Sequence, residues 1–117
     1  INMSWLAGLI DGEGCFMFQK SPSISIDSTC RTVVEEAYHI VGGHCYPNSR
    51  LTAVGRPVFR WQIGGKKSIK VCILLIPYLR DKKEQAMLLS KIYKYPPHSA
   101  MRACIQSRLK GLKRVSL

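Results

Sequence analysis

Residues 6–14 read Leu6-Ala7-Gly8-Leu9-Ile10-Asp11-Gly12-Glu13-Gly14, a run that occurs once and joins small and branched apolar residues to an acidic, glycine-rich end. In a helix Leu6, Leu9 and Ile10 lie near one another, and Ala7 and Gly8 add small side chains that let two backbones approach closely. Leu6, Ala7, Gly8 and Leu9 are therefore expected to form a helix–helix contact with a symmetric partner. Ser4 can cap a helix from Trp5 to about Asp11, and Gly12 and Gly14 are where the chain turns into a strand. The glycines free the backbone while a carboxylate points away from the helix end. Two acids in such a turn are commonly just solvated. Mg²⁺, however, takes one or two carboxylates with waters and phosphate oxygens, and two copies packed along this helix would bring two Glu13 carboxylates together.

Outward from this run the periodicity alternates. Cys15 to Lys20 places Phe16 and Phe18 on one face and Met17 and Gln19 on the other, and after a turn at Ser21-Pro22-Ser23 the residues Ile24 and Ile26 alternate with Ser25 and Asp27. A helical stripe of Val33, Val34, Ala37, Ile40 and Val41 predicts a helix from Thr32 to Val41, ended by Gly42-Gly43. A weak strand signal in His44 to Leu51 precedes a clear one in Arg56 to Ile63. There Phe59, Trp61 and Ile63 oppose Val58, Arg60 and Gln62. Buried and amphipathic helices are expected over Ser68 to Leu79 and Lys82 to Tyr93. Pro96-Pro97 breaks the chain before a basic helical tail from Ala100. The order is αββαββα with added C-terminal helices, an α+β domain on one antiparallel sheet.

At 117 residues and 46% apolar content the chain suits one domain, residues 1–117, of which about 100–117 form the basic extension. Lys and Arg number 18 against 7 Asp and Glu, a net charge of +11 that favours a polyanionic partner through counterion release. Sixteen of the basic residues fall in residues 45–114, where Asp81 and Glu84 are the acids. Cys15, Cys30, Cys45, Cys72 and Cys104 are odd in number and include no C-x-x-C pair, which excludes a zinc-finger pattern and points to a reducing, intracellular compartment. They read as small buried apolar groups, and Trp5 and Trp61 as core residues. No segment reads as a secretory signal, and the longest apolar run, Val71 to Ile76, is too short to span a bilayer, so no membrane partner is expected. His39, His44 and His98 share no catalytic spacing and read as polar surface.

The run at 6–14 resembles the signature of the LAGLIDADG homing endonucleases, with Gly12 in place of the usual alanine and Glu13 in place of the commoner aspartate. The resemblance extends through the αββαββα order and the segment Pro77-Tyr78-Leu79-Arg80-Asp81-Lys82-Lys83-Glu84-Gln85-Ala86. It implies an αββαββα fold with a saddle-like antiparallel sheet. In such a protein Glu13 ligates divalent ions that bridge the scissile phosphates and Gly12 helps through its carbonyl. Lys82 serves the active site, and a polar residue at the end of the second strand, Asp27 or Ser28, holds water. Asp11 takes a structural place at the helix end. The cation implied is Mg²⁺, with Mn²⁺ or Ca²⁺ as substitutes and Ca²⁺ supporting binding without cleavage. The short turn at Ser21-Pro22-Ser23 departs from the longer DNA-reaching loop of many members.

One sheet face, with Met17, Gln19, Ser25, Arg60 and Gln62, is then expected to read bases, since a β-ribbon fits the major groove and Arg and Gln pair with guanine and adenine. Asn48, Arg50 and Arg56 extend that face, while Lys66, Lys67 and Lys70 suit phosphates. One motif per chain implies a homodimer that cleaves a pseudo-palindromic double-stranded DNA, with no small-molecule substrate. The alternatives are a non-catalytic binder of the same fold such as a splicing maturase, a fragment of a two-motif monomer, and a basic protein-interaction module.

Overall fold

The computed structural model of the protein describes residues 2–52 and 54–115, without the side chains of 49–51 and 113–115. Helix α1 (Asn2–Glu13) leads directly into strand β1 (Gly14–Phe18), followed by β2 (Pro22–Ser28), α2 (Arg31–Val41), β3 (His44–Leu51) and β4 (Pro57–Gly64). Then come α3 (Lys66–Leu75), α4 (Lys83–Ser90), a 3₁₀ turn (Ile92–Lys94) and α5 (Ala100–Val115). The order αββαββα with added C-terminal helices is thus as expected. Several bounds differ. α1 starts at Asn2, so Ser4 lies within it rather than capping it, and it runs through Gly12 to Glu13. β1 ends at Phe18, Pro22 and Ser23 belong to β2 rather than to the turn, and α3 runs from Lys66 to Leu75 rather than from Ser68 to Leu79. The Lys82–Tyr93 helix is broken at Lys91 into α4 and the 3₁₀ turn. Among the described residues no helix is long and apolar enough to cross a membrane.

The four strands form one antiparallel sheet in the order β1-β2-β4-β3. Residues opposite one another share a face, so the register fixes which side chains look the same way. Phe16 pairs with Ile24 and Ile24 with Ile63, while Ile26 pairs with Trp61. These apolar side chains form one cluster with Leu6, Ala7 and Ile10 of α1, Val34 and Ala37 of α2, and Leu75 and Leu89 of α3 and α4. The helices therefore cover one face of the sheet. The other carries Met17, Arg60, Gln62, Tyr46 and His44. Gln19, expected on β1, lies beyond it in the 19–21 turn.

Two glycines are demanded by geometry. Gly14 joins α1 to β1, and a Cβ there would sit 2.8 Å from the Ile10 Cα and 2.9 Å from its carbonyl oxygen. Gly43, with φ +97°, would put a Cβ 2.7 Å from the Gln62 carbonyl. Beside it the Trp61 indole N–H donates to the Gly42 carbonyl at 2.8 Å, tying the α2 exit to the core. At the outer edge of the sheet β3 contains Pro47, and its pairing with β4 shifts register between Asn48 and Leu51.

Several core expectations need correction. Trp5 is 42% exposed, because the inward stripe of α1 is Leu6, Ala7 and Ile10, and Trp5 falls on the opposite side. Of the cysteines only Cys72 is buried, while Cys15 is half-buried and Cys30, Cys45 and Cys104 are exposed.

Gly12→Ala and Gly14→Ala should move stability in opposite directions although they are two residues apart. Nothing lies within 4 Å of a Cβ at Gly12, so alanine there should stabilise by up to about 1 kcal/mol. Alanine at Gly14 should cost about 1–3 kcal/mol through overpacking against Ile10. Urea denaturation of the two variants measures both. Burial also pushes the Cys72 thiol up to about 12 from its ordinary 9.0. The folded state then holds that proton more tightly than the unfolded chain. Its contribution to stability is complete below pH 9 and is lost as pH rises from 9 toward 12. Denaturation midpoints should fall over that window, and less so in Cys72→Ala.

Candidate metal-binding carboxylate and nucleic-acid interface

The end of α1 is held by the segment that enters α4. The Asp11 carboxylate accepts from two backbone N–H groups, that of Arg80 at 2.9 Å and that of Lys82 at 3.0 Å. In the reverse direction the Lys82 ammonium donates to the carbonyls of Ile10 at 3.1 Å and Asp11 at 2.7 Å. The last carbonyls of a helix have no N–H four residues on, and a cation there also complements the helix dipole. Residues 69 to 72 apart in sequence are thereby cross-linked. Asp11 is engaged with backbone, as expected from its place at the helix end.

Glu13 is the last residue of α1 and is exposed. It makes no hydrogen bond or ion pair with a described residue, so its carboxylate is available. Gly12 beside it is exposed as well. Among the described residues no group of three or more His, Cys, Asp or Glu could hold a metal ion, and of the two carboxylates at this helix end Asp11 is engaged with backbone N–H groups.

The residues expected to pack against a partner are divided by the helix. Leu6 and Ala7 are fully buried in the chain's own core and cannot reach a second copy. The exposed stripe is Trp5, Gly8 and Gly12, at spacings of three and four, with Leu9 half-buried at its flank. A Cβ at Gly8 would also meet nothing within 4 Å. A shallow depression of about 400 Å³ beside it is lined by Ser4, Gly8, Asp11, Pro77, Tyr78 and Arg80.

On the bare sheet face Arg60 is not a free cation. Its Nε donates to Asp27 Oδ1 at 2.7 Å and its Nη2 to Oδ2 at 2.9 Å. This bidentate pair bridges β2 and β4 at side-chain exposures of 29% and 22%. The Asp27 carboxylate holds Arg60 far above the usual guanidinium range, against the opposing effect of partial burial. Asp27, one of the two candidates for holding water, is thus committed to Arg60. Ser28, the other, pairs in register with Phe59, and its hydroxyl accepts from the Cys30 N–H at 3.0 Å at the start of α2. It points away from the bare face. Ser25 lies on that face between Cys15 and Gln62 but is only 4% exposed, which removes it as a base contact.

Met17 and Gln62 are half-buried on this face, and Gln19 and Arg56 are exposed in the turns at either end. Asn48 sits on β3 opposite Val58. The side chain of Arg50 lies outside the described residues. Lys66 and Lys67 are exposed in the first turn of α3. Sequence reasoning missed Tyr46, whose hydroxyl donates to Gln62 Oε1 at 2.8 Å, and Lys20, which lines a 520 Å³ depression with Met17, Arg60 and Gln62. Tyr46 was hidden by the weak alternation of β3, where Pro47 interrupts the pattern. Lys20 was hidden by its position past the strand end.

No family model matches the chain, and no curated protein matches it. Solved structures do. The homing endonuclease I-CvuI, in complex with its target in the presence of calcium, superposes with a TM-score of 0.79 at 20% identity, over 94% of this chain and 80% of that one. The archaeal intron-encoded homing endonuclease I-Vdi141I, complexed with DNA, gives 0.74 at 16% identity over 94% and 82%. A double mutant of I-SmaMI gives 0.62 at 17% identity and covers 98% of this chain but 42% of the other. The chain has the fold of the LAGLIDADG homing endonucleases.

Asp11→Ala should leave the Arg80 and Lys82 backbone N–H groups without their carboxylate acceptor, while the carbonyls that hold the Lys82 ammonium remain. A loss of about 1–3 kcal/mol in urea unfolding is expected, together with faster hydrogen exchange of those two amides. Unchanged exchange at both would show that Asp11 does not hold the segment.

Proposed function

We propose that the chain is a site-specific DNA endonuclease that acts as a homodimer on a long pseudo-palindromic duplex, hydrolysing one phosphodiester on each strand with a divalent cation. The observation that carries this is an exposed Glu13, with no hydrogen bond or ion pair to a described residue, two residues beyond the Asp11 carbonyl that Lys82 grips, on a helix whose outer stripe is Trp5, Gly8 and Gly12. The fold shared with endonucleases in complex with DNA supports it, as does the net charge of +11.

The residues fit Mg²⁺. Glu13 offers a hard carboxylate, and the Gly12 carbonyl lies in the last helical turn, where intrahelical partners run out. A single carboxylate completed by waters and phosphate oxygens is an ordinary way to hold this ion. Bound there, the cation supplies Lewis acidity that activates water and stabilises the leaving oxygen. The rest falls to the chain. Lys82 spends two of its three N–H bonds fixing the end of α1, which sets Glu13 in place, and has one left for charge developing on the phosphate. Because one chain offers one such carboxylate, the second must come from a copy related by a twofold axis. The small residues Gly8 and Gly12 permit the close helix approach that this requires. Free thiols suit a reducing compartment.

A second reading, a non-catalytic nucleic-acid binder of the same fold such as a splicing maturase, is favoured by the Asp27–Arg60 pair, which takes one candidate for holding water out of play.

Incubation with a plasmid library of candidate sites and Mg²⁺ separates the two. Linear product from the wild type, lost by at least 100-fold in Glu13→Gln while binding in calcium persists, is the expected result. Binding without cuts in the wild type supports the binder instead. The solution mass should be that of a dimer, and Gly8→Leu should shift it to the monomer; a monomeric wild type would overturn the symmetric site.

A further inference from the structure

At the far end of β1 lies a cleft of about 680 Å³ without an acid in its walls. It is bounded by Gln19 and Lys20 of the β1–β2 turn and by His98, Ser99, Arg102 and Gln106 along the entry and first turns of α5, with no Asp or Glu among its lining residues. Gln106 ties the two walls together by donating to the Phe18 carbonyl at 2.9 Å. Arg102 is braced from behind: its Nε donates to the carbonyls of Ile92 at 3.1 Å and Tyr95 at 2.7 Å, and its guanidinium carbon lies 5.5 Å from the centre of the Tyr93 ring. Those bonds use one of its five N–H groups. Arg31, Arg60 and Arg108 are each paired with a carboxylate, whereas Lys20, His98 and Arg102 form no ion pair with a described residue.

Cations left uncompensated in a concave place focus a positive field and favour a polyanion there. Gln19 and Lys20 also wall the 520 Å³ depression of the bare sheet face, so the two depressions adjoin. Glu13 and Lys20 lie seven residues apart, a span of at most about 25 Å, which is less than one turn of the double helix at about 34 Å. A duplex that lies along the sheet from Glu13 passes this corner within that turn. Resting on the endonuclease reading above, we propose that the cleft grips a backbone phosphate of the duplex beyond the stretch covered by the sheet, with Lys20, His98 and Arg102 as donors and one cleft in each copy. Phosphate contacts carry no sequence information of their own, so the cleft adds affinity and fixes the register of the duplex without choosing bases. The entry to α5 thereby supplies the reach that the short 19–21 turn lacks.

Binding to a mixed-sequence duplex in calcium, followed across a salt series, tests this. Each phosphate neutralised steepens the slope of log affinity against log salt by about 0.9. Arg102→Gln should therefore make the slope shallower by about 0.9 per copy. His98→Asp, which puts an anion where the phosphate would lie, should do at least as much. A merely structural role would lower the fraction of protein able to bind and leave the slope as it is. An unchanged slope in either folded variant overturns the clamp and leaves the endonuclease reading standing, whereas a folded wild type that binds no duplex overturns both. A change of slope confined to a structured RNA overturns the clamp on DNA and assigns the cleft to RNA. His98 is exposed with φ +60°, a conformation that aspartate also tolerates. Its variant thus keeps the fold and the test even if Arg102→Gln, which removes the brace on two carbonyls, does not.

Discussion

Everything at the working end of this molecule hangs on the reciprocal clasp between Asp11 and Lys82. Each gives the other's segment what its backbone lacks. The carboxylate satisfies two N–H groups at the entry to α4, and the ammonium satisfies two carbonyls at the exit of α1. Helix ends and the turns between helices are where backbone groups run short of regular partners. The clasp joins the first helix to the second half of the chain. Just beyond it Glu13 is exposed, and a Cβ at Gly14 would clash with Ile10 of the same helix.

That arrangement separates three roles within nine residues. Leu6, Ala7 and Ile10 belong to the core, Trp5, Gly8 and Gly12 to the outside of the helix, and Asp11 and Glu13 to the joint and to solvent respectively. A helix that buries one stripe and leaves a small-residue stripe bare can serve its own domain and a neighbour at once. The bare sheet face continues the theme. Its charged and polar groups are paired across strands rather than left loose, so the face is rigid before it meets anything.

Much of the fold was legible because its signals are local. Alternation of Phe16, Ile24, Trp61 and Ile63 against Met17, Arg60 and Gln62 fixed the two faces of the sheet, and the stripe on residues 31–41 and the double glycine after it marked α2. What was not legible depends on partners far along the chain. Leu6 and Ala7 look like any small apolar pair until the sheet beneath them is known, and only then is the outer stripe seen to be Trp5, Gly8 and Gly12. Asp27 and Arg60 are 33 residues apart, and their pairing needs the β2–β4 register, which no periodicity encodes. Ser28 differs from Asp27 by one residue, and in a strand that places it on the opposite face. The cysteines misled because burial propensity is an average, and four of these five fall on turns, faces or helix surfaces.

A sheet with one bare face carries a hazard at its two edges, where unpaired backbone can recruit strands from other molecules. Here both edges are blunted. On the inner edge β1 is short, and Gln106 of α5 donates to the carbonyl of Phe18 at its end, 2.9 Å away. On the outer edge Pro47 removes a donor from β3 and the register shift beyond Asn48 twists the strand out of line. Strand-to-strand stacking, the route to fibrous aggregates, is thereby disfavoured in a protein that keeps a wide sheet face uncovered.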